Sequence, residues 1–178
     1  MSPSVDYVVK YDFVVEVQMS VNVAAVNFAS PREGAALVQL LNAYALDPMG
    51  GGEPLAIEVQ AQLCQQLAQV PGAVALLAWL GEEPVGVATA FAGFSTFAAK
   101  PLLSVHDLAV LPAHRGRGIG QALLGALEQI ARERGCCKMT LEVLSNNLRA
   151  QASYRQFGFA GYALDPSQGQ ALFWQKWL

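Results

Sequence analysis

The stretch Arg115-Gly116-Arg117-Gly118-Ile119-Gly120 joins a strand-like run over residues 103–111 to a helix-like run over residues 118–134. The helix reading rests on Ile119, Leu123, Leu124, Leu127 and Ile130, which recur at helical spacing on one face and precede Gly135. A strand feeding a helix through glycines gathers free backbone N–H groups and a helix N-terminus at one point. Such a point suits phosphate oxygens. Each exposed contact of this kind is worth only about 0.3–1 kcal/mol, so several must act together, and a diphosphate is a suitable cargo. Two other glycine motifs fail on spacing. A dinucleotide fingerprint needs a third glycine where Gln121 stands, and a Walker loop needs Gly-Lys followed by Ser or Thr. A tight turn with no ligand is the plainer alternative, and six residues alone leave it open.

Charge points to the same part of the chain. Residues 115–155 carry seven basic against three acidic side chains, a +4 segment in a chain of formal charge −3, so the remainder carries −7. A slightly acidic protein with one basic quarter is expected to hold an anionic ligand there, with a solvated helix face as the bland alternative. The acidic balance argues against a general nucleic-acid binder. With 53% hydrophobic and 14% charged residues, a core forms readily and intrinsic disorder is excluded. A length of 178 residues suits one domain. The uncharged run over residues 84–99 is broken by Gly86, Gly93, Ser95 and Thr96. It is also shorter than the roughly 18 apolar residues of a spanning helix, so no membrane span is expected. Cys64, Cys136 and Cys137 form no C-x-x-C, and His106 and His114 are the only histidines, so no metal site is expected. Asp6, Lys10, Asp12 and Glu16 fall where a secretory apolar region would lie. Together with the unpatterned cysteines, this makes a cytoplasmic location the expectation.

Strands are expected over residues 21–28, 73–80, 85–91, 103–111, 139–144, 160–163 and 171–177. Ser30-Pro31 opens a helix with Ala36, Leu37, Leu40, Leu41 and Tyr44 on its apolar face, ended by Asp47-Pro48-Met49-Gly50-Gly51-Gly52. Further helices are expected over residues 53–69, 118–134 and 147–156. The order is β-α-α-β-β-β-α-β-α-β-β, a mixed sheet with helices on its faces. Residues 1–20 fit this plan poorly. Either they extend the domain, with residues 5–17 as an extra edge strand, or the native start is Met19.

The downstream segment Asn147-Leu148-Arg149-Ala150-Gln151-Ala152-Ser153-Tyr154-Arg155-Gln156-Phe157-Gly158-Phe159 has the form N-x-R-A-x-x-x-Y-x-x-x-G-F. Together with L-A-V-L-P-A-H-R-G-R-G-I-G over residues 108–120, it resembles the GNAT superfamily of acetyl-CoA-dependent N-acetyltransferases. The resemblance follows the element order over residues 21–178 and is specific in its motifs from Val105 to Phe159. It implies an α/β (α+β) domain: a mixed, mostly antiparallel sheet of about seven strands flanked by four helices. It also implies site residues. The backbone of Leu108, Ala109 and Val110 would follow the pantetheine arm, with a main-chain N–H near Val110 polarising the acetyl carbonyl. Arg115, Gly116, Arg117, Gly118, Ile119, Gly120 and Gln121 would cradle the CoA diphosphate. Asn147 would bond the pantetheine end, and Tyr154 would protonate the departing CoA thiolate.

Direct acetyl transfer needs a deprotonated amine, a polarised thioester and a stabilised leaving thiolate. A phenol such as Tyr154 is able to donate to a thiolate, although a Tyr on an amphipathic helix is ordinarily a packing residue. For the base, His106 stands where some amine-acetylating relatives place Glu or His, and the ordinary histidine range near 6.5 suits it. Strand alternation would turn neighbouring Asp107 to the opposite face, as a structural anchor. Glu142 and Glu53 are reserves, and a water chain is the alternative to any single base. His114 is assigned no chemistry. For the acceptor, Phe91, Phe94 and Phe97 would supply an apolar wall near Met49 and the glycines after it, with Asp47 or Glu53 meeting a cationic amine. Core filling by these phenylalanines is equally compatible with the sequence. The function implied is transfer of acetyl from acetyl-CoA to a primary amine, small molecules being preferred as acceptors. A catalytically silent domain that binds acyl-CoA as a sensor or structural module is the rival. The oligomeric state stays open, a homodimer included.

Overall fold

The structure is a computed structural model that describes residues 20–162 and 172–178. Within them the chain runs β1 (Val21–Ala25), α1 (Pro31–Leu46), α2 (Ile57–Ala68), β2 (Val74–Leu80), β3 (Glu83–Ser95), β4 (Lys100–Val110), α3 (Ile119–Glu133), β5 (Met139–Thr140) and α4 (Leu148–Phe157). The strands form one sheet in the order β1-β2-β3-β4-β5, antiparallel except for the β4–β5 pair. This is the mixed, mostly antiparallel α/β architecture with four α-helices.

Both faces of the sheet are covered, which is why β2 reads as the unbroken apolar run VALLAWL. On one face α3 packs Ile119, Leu123 and Leu127 onto Leu76, Ala88 and Val105. On the other, Leu37, Leu40 and Leu41 of α1 and Leu67 of α2 meet Ala75, Leu77 and Val87. Ser30 caps α1 by accepting from the Glu33 N–H, and Pro31 occupies its first turn. The second helix starts at Ile57 rather than near residue 53. Pro54 disfavours a helical Glu53, and the Leu55 N–H donates instead to Asn42 Oδ1 at 2.9 Å.

Among the described residues, five strands stand where seven were expected. Residues 160–162 and 172–178 form no strand and are exposed, so those two expectations are corrected over the residues described. Alternating residues become a strand only through a ladder, and Trp174 and Trp177 are left 83% and 87% exposed. Residues 163 and 171, like the edge strand considered over residues 5–17, lie outside the described residues. β5 is also shorter than expected, stopping at Thr140 after pairing Leu103↔Met139 and Ser104↔Thr140. β4 runs on to Val110 without this neighbour.

The β3–β4 ladder contains a bulge that decides what β4 presents. Ala90 pairs with Val105, yet Thr89 pairs with Asp107, which leaves His106 as the extra residue. Strand alternation across His106 and Asp107 is therefore broken. Asp107 stands opposite Thr89, and His106 packs edge-on against Phe91, so both point to the face that carries α1 and α2. The expectation that Asp107 faces away from His106 is corrected.

Candidate active site

A cleft of about 510 Å³ opens beside the edge of β4 that, beyond Ser104, no described strand pairs. Its floor is Leu108, Ala109 and Val110; one wall is the glycine loop and the start of α3, the second is α4, and the third is the end of α1. The loop geometry follows from its glycines. Gly116 and Gly118 adopt φ of 82° and 79°, which side chains with a Cβ rarely adopt, and Gly118 caps α3. The first helical bond is Ala122 N–H to Gly118 O, so the N–H groups of Ile119, Gly120 and Gln121 project from the helix end. Arg115, Gly116, Gly118, Ile119, Gly120 and Gln121 all line the cleft, whereas Arg117 is exposed outside it.

Arg115 spends its guanidinium on the protein itself. Nε donates to the Val110 carbonyl at 2.8 Å and Nη2 to Asp47 Oδ2 at 2.7 Å. Together with the Met49 N–H, this guanidinium holds the Asp47 carboxyl below its ordinary range. Asp47 is thus neutralised, which removes it from the carboxylates free to meet a cationic amine.

On α4, Asn147 caps the helix by accepting from the Ala150 N–H at 3.1 Å, leaving its amide nitrogen for another partner. Gln121 Nε2 donates to Ser153 O and Oγ, both at 2.9 Å, and so ties α3 to α4. Tyr154 lies one residue further, edge-on to Phe159 and facing the cleft. Burial, and then the nearness of the Tyr44 phenol, which disfavours ionising both, pushes the Tyr154 phenol up, so it keeps its proton at neutral pH. Tyr44 is pushed up in turn by burial and by the negative charges of Asp107 and Asp47. Tyr44 and Tyr154 thus both line the cleft and feel one another across it, and Asp107 acts on Tyr44 from β4. Asp107 is locked by buried Thr89, whose hydroxyl donates to Asp107 Oδ2 at 2.5 Å and accepts from the Asp107 N–H at 3.2 Å.

The other sequence candidates lie elsewhere. His106 is exposed on the bulge, and neither it nor Glu53 nor Glu142 lines the cleft; both glutamates are exposed. Phe94 and Phe97 are 62% and 105% exposed at the tip of the β3–β4 hairpin, away from the cleft. His114 does line it, with Nε2 3.3 Å from Glu83. Tyr44, Arg149 and Ser153 line it without having been singled out as site residues. Only helical spacing marked Tyr44 in the sequence, and that signal reads as packing.

The geometry has counterparts among known proteins. Residues 36–159 match the model of the acetyltransferase (GNAT) family. A streptothricin acetyltransferase of Streptomyces lavendulae is 42% identical over 83 residues, 46% of this chain and 44% of that protein. The N-alpha-acetyltransferase RimI of Mycobacterium tuberculosis is 37% identical over 83 residues, 46% and 51% of the two chains. The match spans about half the length of these curated relatives. Among solved structures, an aminoglycoside acetyltransferase from an uncultured soil metagenomic sample in complex with sisomicin superposes with TM-score 0.72. The two are 20% identical, and the match covers 89% of this chain and 96% of that one. The structure of AAC(6')-Iy with a CoA bisubstrate analog gives TM-score 0.71 at 15% identity, covering 89% and 99%. These structural likenesses speak for the fold, and the match over residues 36–159 speaks for the lineage: the chain belongs to the GNAT family of acetyltransferases.

Proposed function

We propose that the protein transfers acetyl from acetyl-CoA to a primary amine of a small molecule, directly and within a ternary complex. The observation that carries this reading is the convergence, in one cleft, of projecting glycine-loop N–H groups, the β4 edge that no described strand pairs, and the half-buried Tyr154 phenol. Amides of residues 118–121 hold the CoA diphosphate, with the helix end favouring its charge. The open edge of β4 at Leu108, Ala109 and Val110 bonds the pantetheine arm, and Asn147 supplies its free amide nitrogen to the same arm. The amine lone pair attacks the thioester carbonyl carbon, and the tetrahedral oxyanion is met by a main-chain N–H near Val110. The C–S bond then breaks, and the sulfur takes the Tyr154 proton.

The attacking nitrogen must lose a proton. His106 is the base in this reading, reached through water because it stands outside the cleft. Asp107 is the second reading, favoured by the bulge that turns it to the α1 face and by the charge it exerts on Tyr44. His106→Ala with an unshifted pH–rate profile would reject histidine; Asp107→Asn with an unshifted profile would reject the carboxylate.

The relative named for streptothricin and the fold neighbour bound to sisomicin support small, amine-rich acceptors. A RimI relative keeps protein N-termini as the competing class. The test is CoA release from acetyl-CoA across polyamines, streptothricin, aminoglycosides and N-terminal peptides. Turnover on a small amine supports the proposal. CoA binding without turnover on any of them transfers the protein to the silent, acyl-CoA-sensing class. In the cell, the reading sets the reaction in the cytoplasm. Among the described residues no helix is long and apolar enough to cross a membrane.

A further inference from the structure

The loop that begins with Arg115 and the turn that ends α1 are 68 residues apart in the chain, and one ion pair joins them. Asp47 is the node of that turn. Its carbonyl accepts from the N–H groups of Gly50, Gly51 and Gly52, and its Oδ1 accepts from Met49. The turn folds so closely on the helix that a Cβ at Gly50 would stand 2.0 Å from the Tyr44 carbonyl oxygen. Three successive glycines bring no side chain of their own to hold such a shape, and their backbone freedom is costly to fix. Arg115 supplies the outside anchor. It is itself braced on Val110 and continues directly into Gly116 and Gly118. Tyr44 and Met49, on either side of Asp47, line the cleft opposite α4.

We propose that the Arg115–Asp47 pair is a latch that couples the two substrate sites: CoA bound on the glycine loop orders the α1–α2 turn, and with it the acceptor wall. The inference rests on reading the glycine loop as the CoA site. Arg115 is then a positioning residue whose side chain serves the acceptor wall, while its loop's amides serve the diphosphate. Nothing in this arrangement requires a large movement. A loop held by phosphate fixes the backbone that carries Arg115, and the guanidinium passes that restraint to Asp47. Coupling of this kind between sites is ordinarily five- to 150-fold, roughly, in an equilibrium.

Amide hydrogen exchange of the full chain, with and without saturating CoA, reads the latch directly. In the native protein CoA slows exchange in the glycine loop and, by about fivefold or more, in residues 48–52. Asp47→Asn keeps an oxygen for the Met49 N–H but loses the charge, and Arg115→Gln removes the partner. Each is expected to retain CoA protection in the glycine loop and to lose it in residues 48–52. The double variant loses no more than either single, and Asp47→Glu restores most of the effect. Equal slowing of the turn in native and variant proteins would mean that CoA touches it directly, and the latch is overturned. An unprotected native turn in the presence of bound CoA overturns it as well. Absence of CoA binding to the native protein, measured by titration, overturns the acetyltransferase reading and the latch together.

Discussion

On one wall of the cleft, the glycine loop and the start of α3 offer backbone N–H groups; on the other, Tyr44, Asp47 and Met49 offer side chains. The first wall comes from six consecutive residues. The second is held in shape by a partner 68 positions away, and the carboxylate behind it, Asp107, is held by Thr89 on the neighbouring strand. A wall of backbone suits a ligand with a constant, charged part. A wall of side chains is where relatives of one fold change what they accept. On the proposed reading, donor and acceptor recognition rest on separate physical supports, joined at Arg115.

The largest effect expected lies at the seam between the walls. Tyr154→Phe removes the proposed proton donor and should lower kcat roughly 10²–10⁴-fold, with CoA affinity within about threefold of native. Steady-state kinetics alongside CoA titration checks it, and an unchanged kcat removes Tyr154 from the mechanism. Next comes the side-chain wall. Thr89→Val leaves the Asp107 carboxylate without its hydroxyl partner and should cost about 1.5–3 kcal/mol in urea denaturation, the range for bonds to charged groups. A loss below about 0.5 kcal/mol, the scale of an ordinary surface change, would show that Asp107 is held by something else.

On the backbone wall, Gly118→Val imposes a left-handed conformation that costs about 1–2 kcal/mol. A free loop that relaxes to escape this strain must take it up again to bind CoA, so binding should weaken by up to about tenfold, since 1.4 kcal/mol is a factor of ten. Exchange in residues 48–52 without ligand should stay native, and a change there would blur the distinction between the walls. The smallest effect is in pH. The Asp47 carboxyl sits below its ordinary 3.8 in the folded protein, so its contribution is present above that value and fades as pH falls through the folded one. Urea midpoints of native protein and Asp47→Asn should therefore differ by a constant amount from pH 7 to about pH 5 and converge below about pH 4. A difference that persists at low pH would show that shape, not charge, makes Asp47 useful.

Much of the fold was legible from spacing. The stripe Ile119, Leu123, Leu124 and Leu127 required a helix on a sheet, and all four are at most 1% exposed. Gly158 ended α4 with φ of 107°, as a terminal glycine does. The last two expected strands failed because alternation states which side chains share a face but not whether a neighbouring strand exists to pair with. The His106–Asp107 bulge failed for a related reason: an extra residue in a ladder is a property of two strands, and β4 alone carries no mark of it.

Spacing along the chain was thus enough to place the elements with strong local periodicity, the glycine loop and the tyrosine helix. It also determined the family, because two separate motifs carried it. Each of these depends on contacts within a few residues, so spacing along the chain records it. The folded chain was needed to see that Asp47 is neutralised by Arg115, that Asp107 turns toward Tyr44, and that Phe94 and Phe97 stand away from the cleft. Those facts depend on which distant groups meet, and ion pairing, burial and ladder register act across space rather than along the chain.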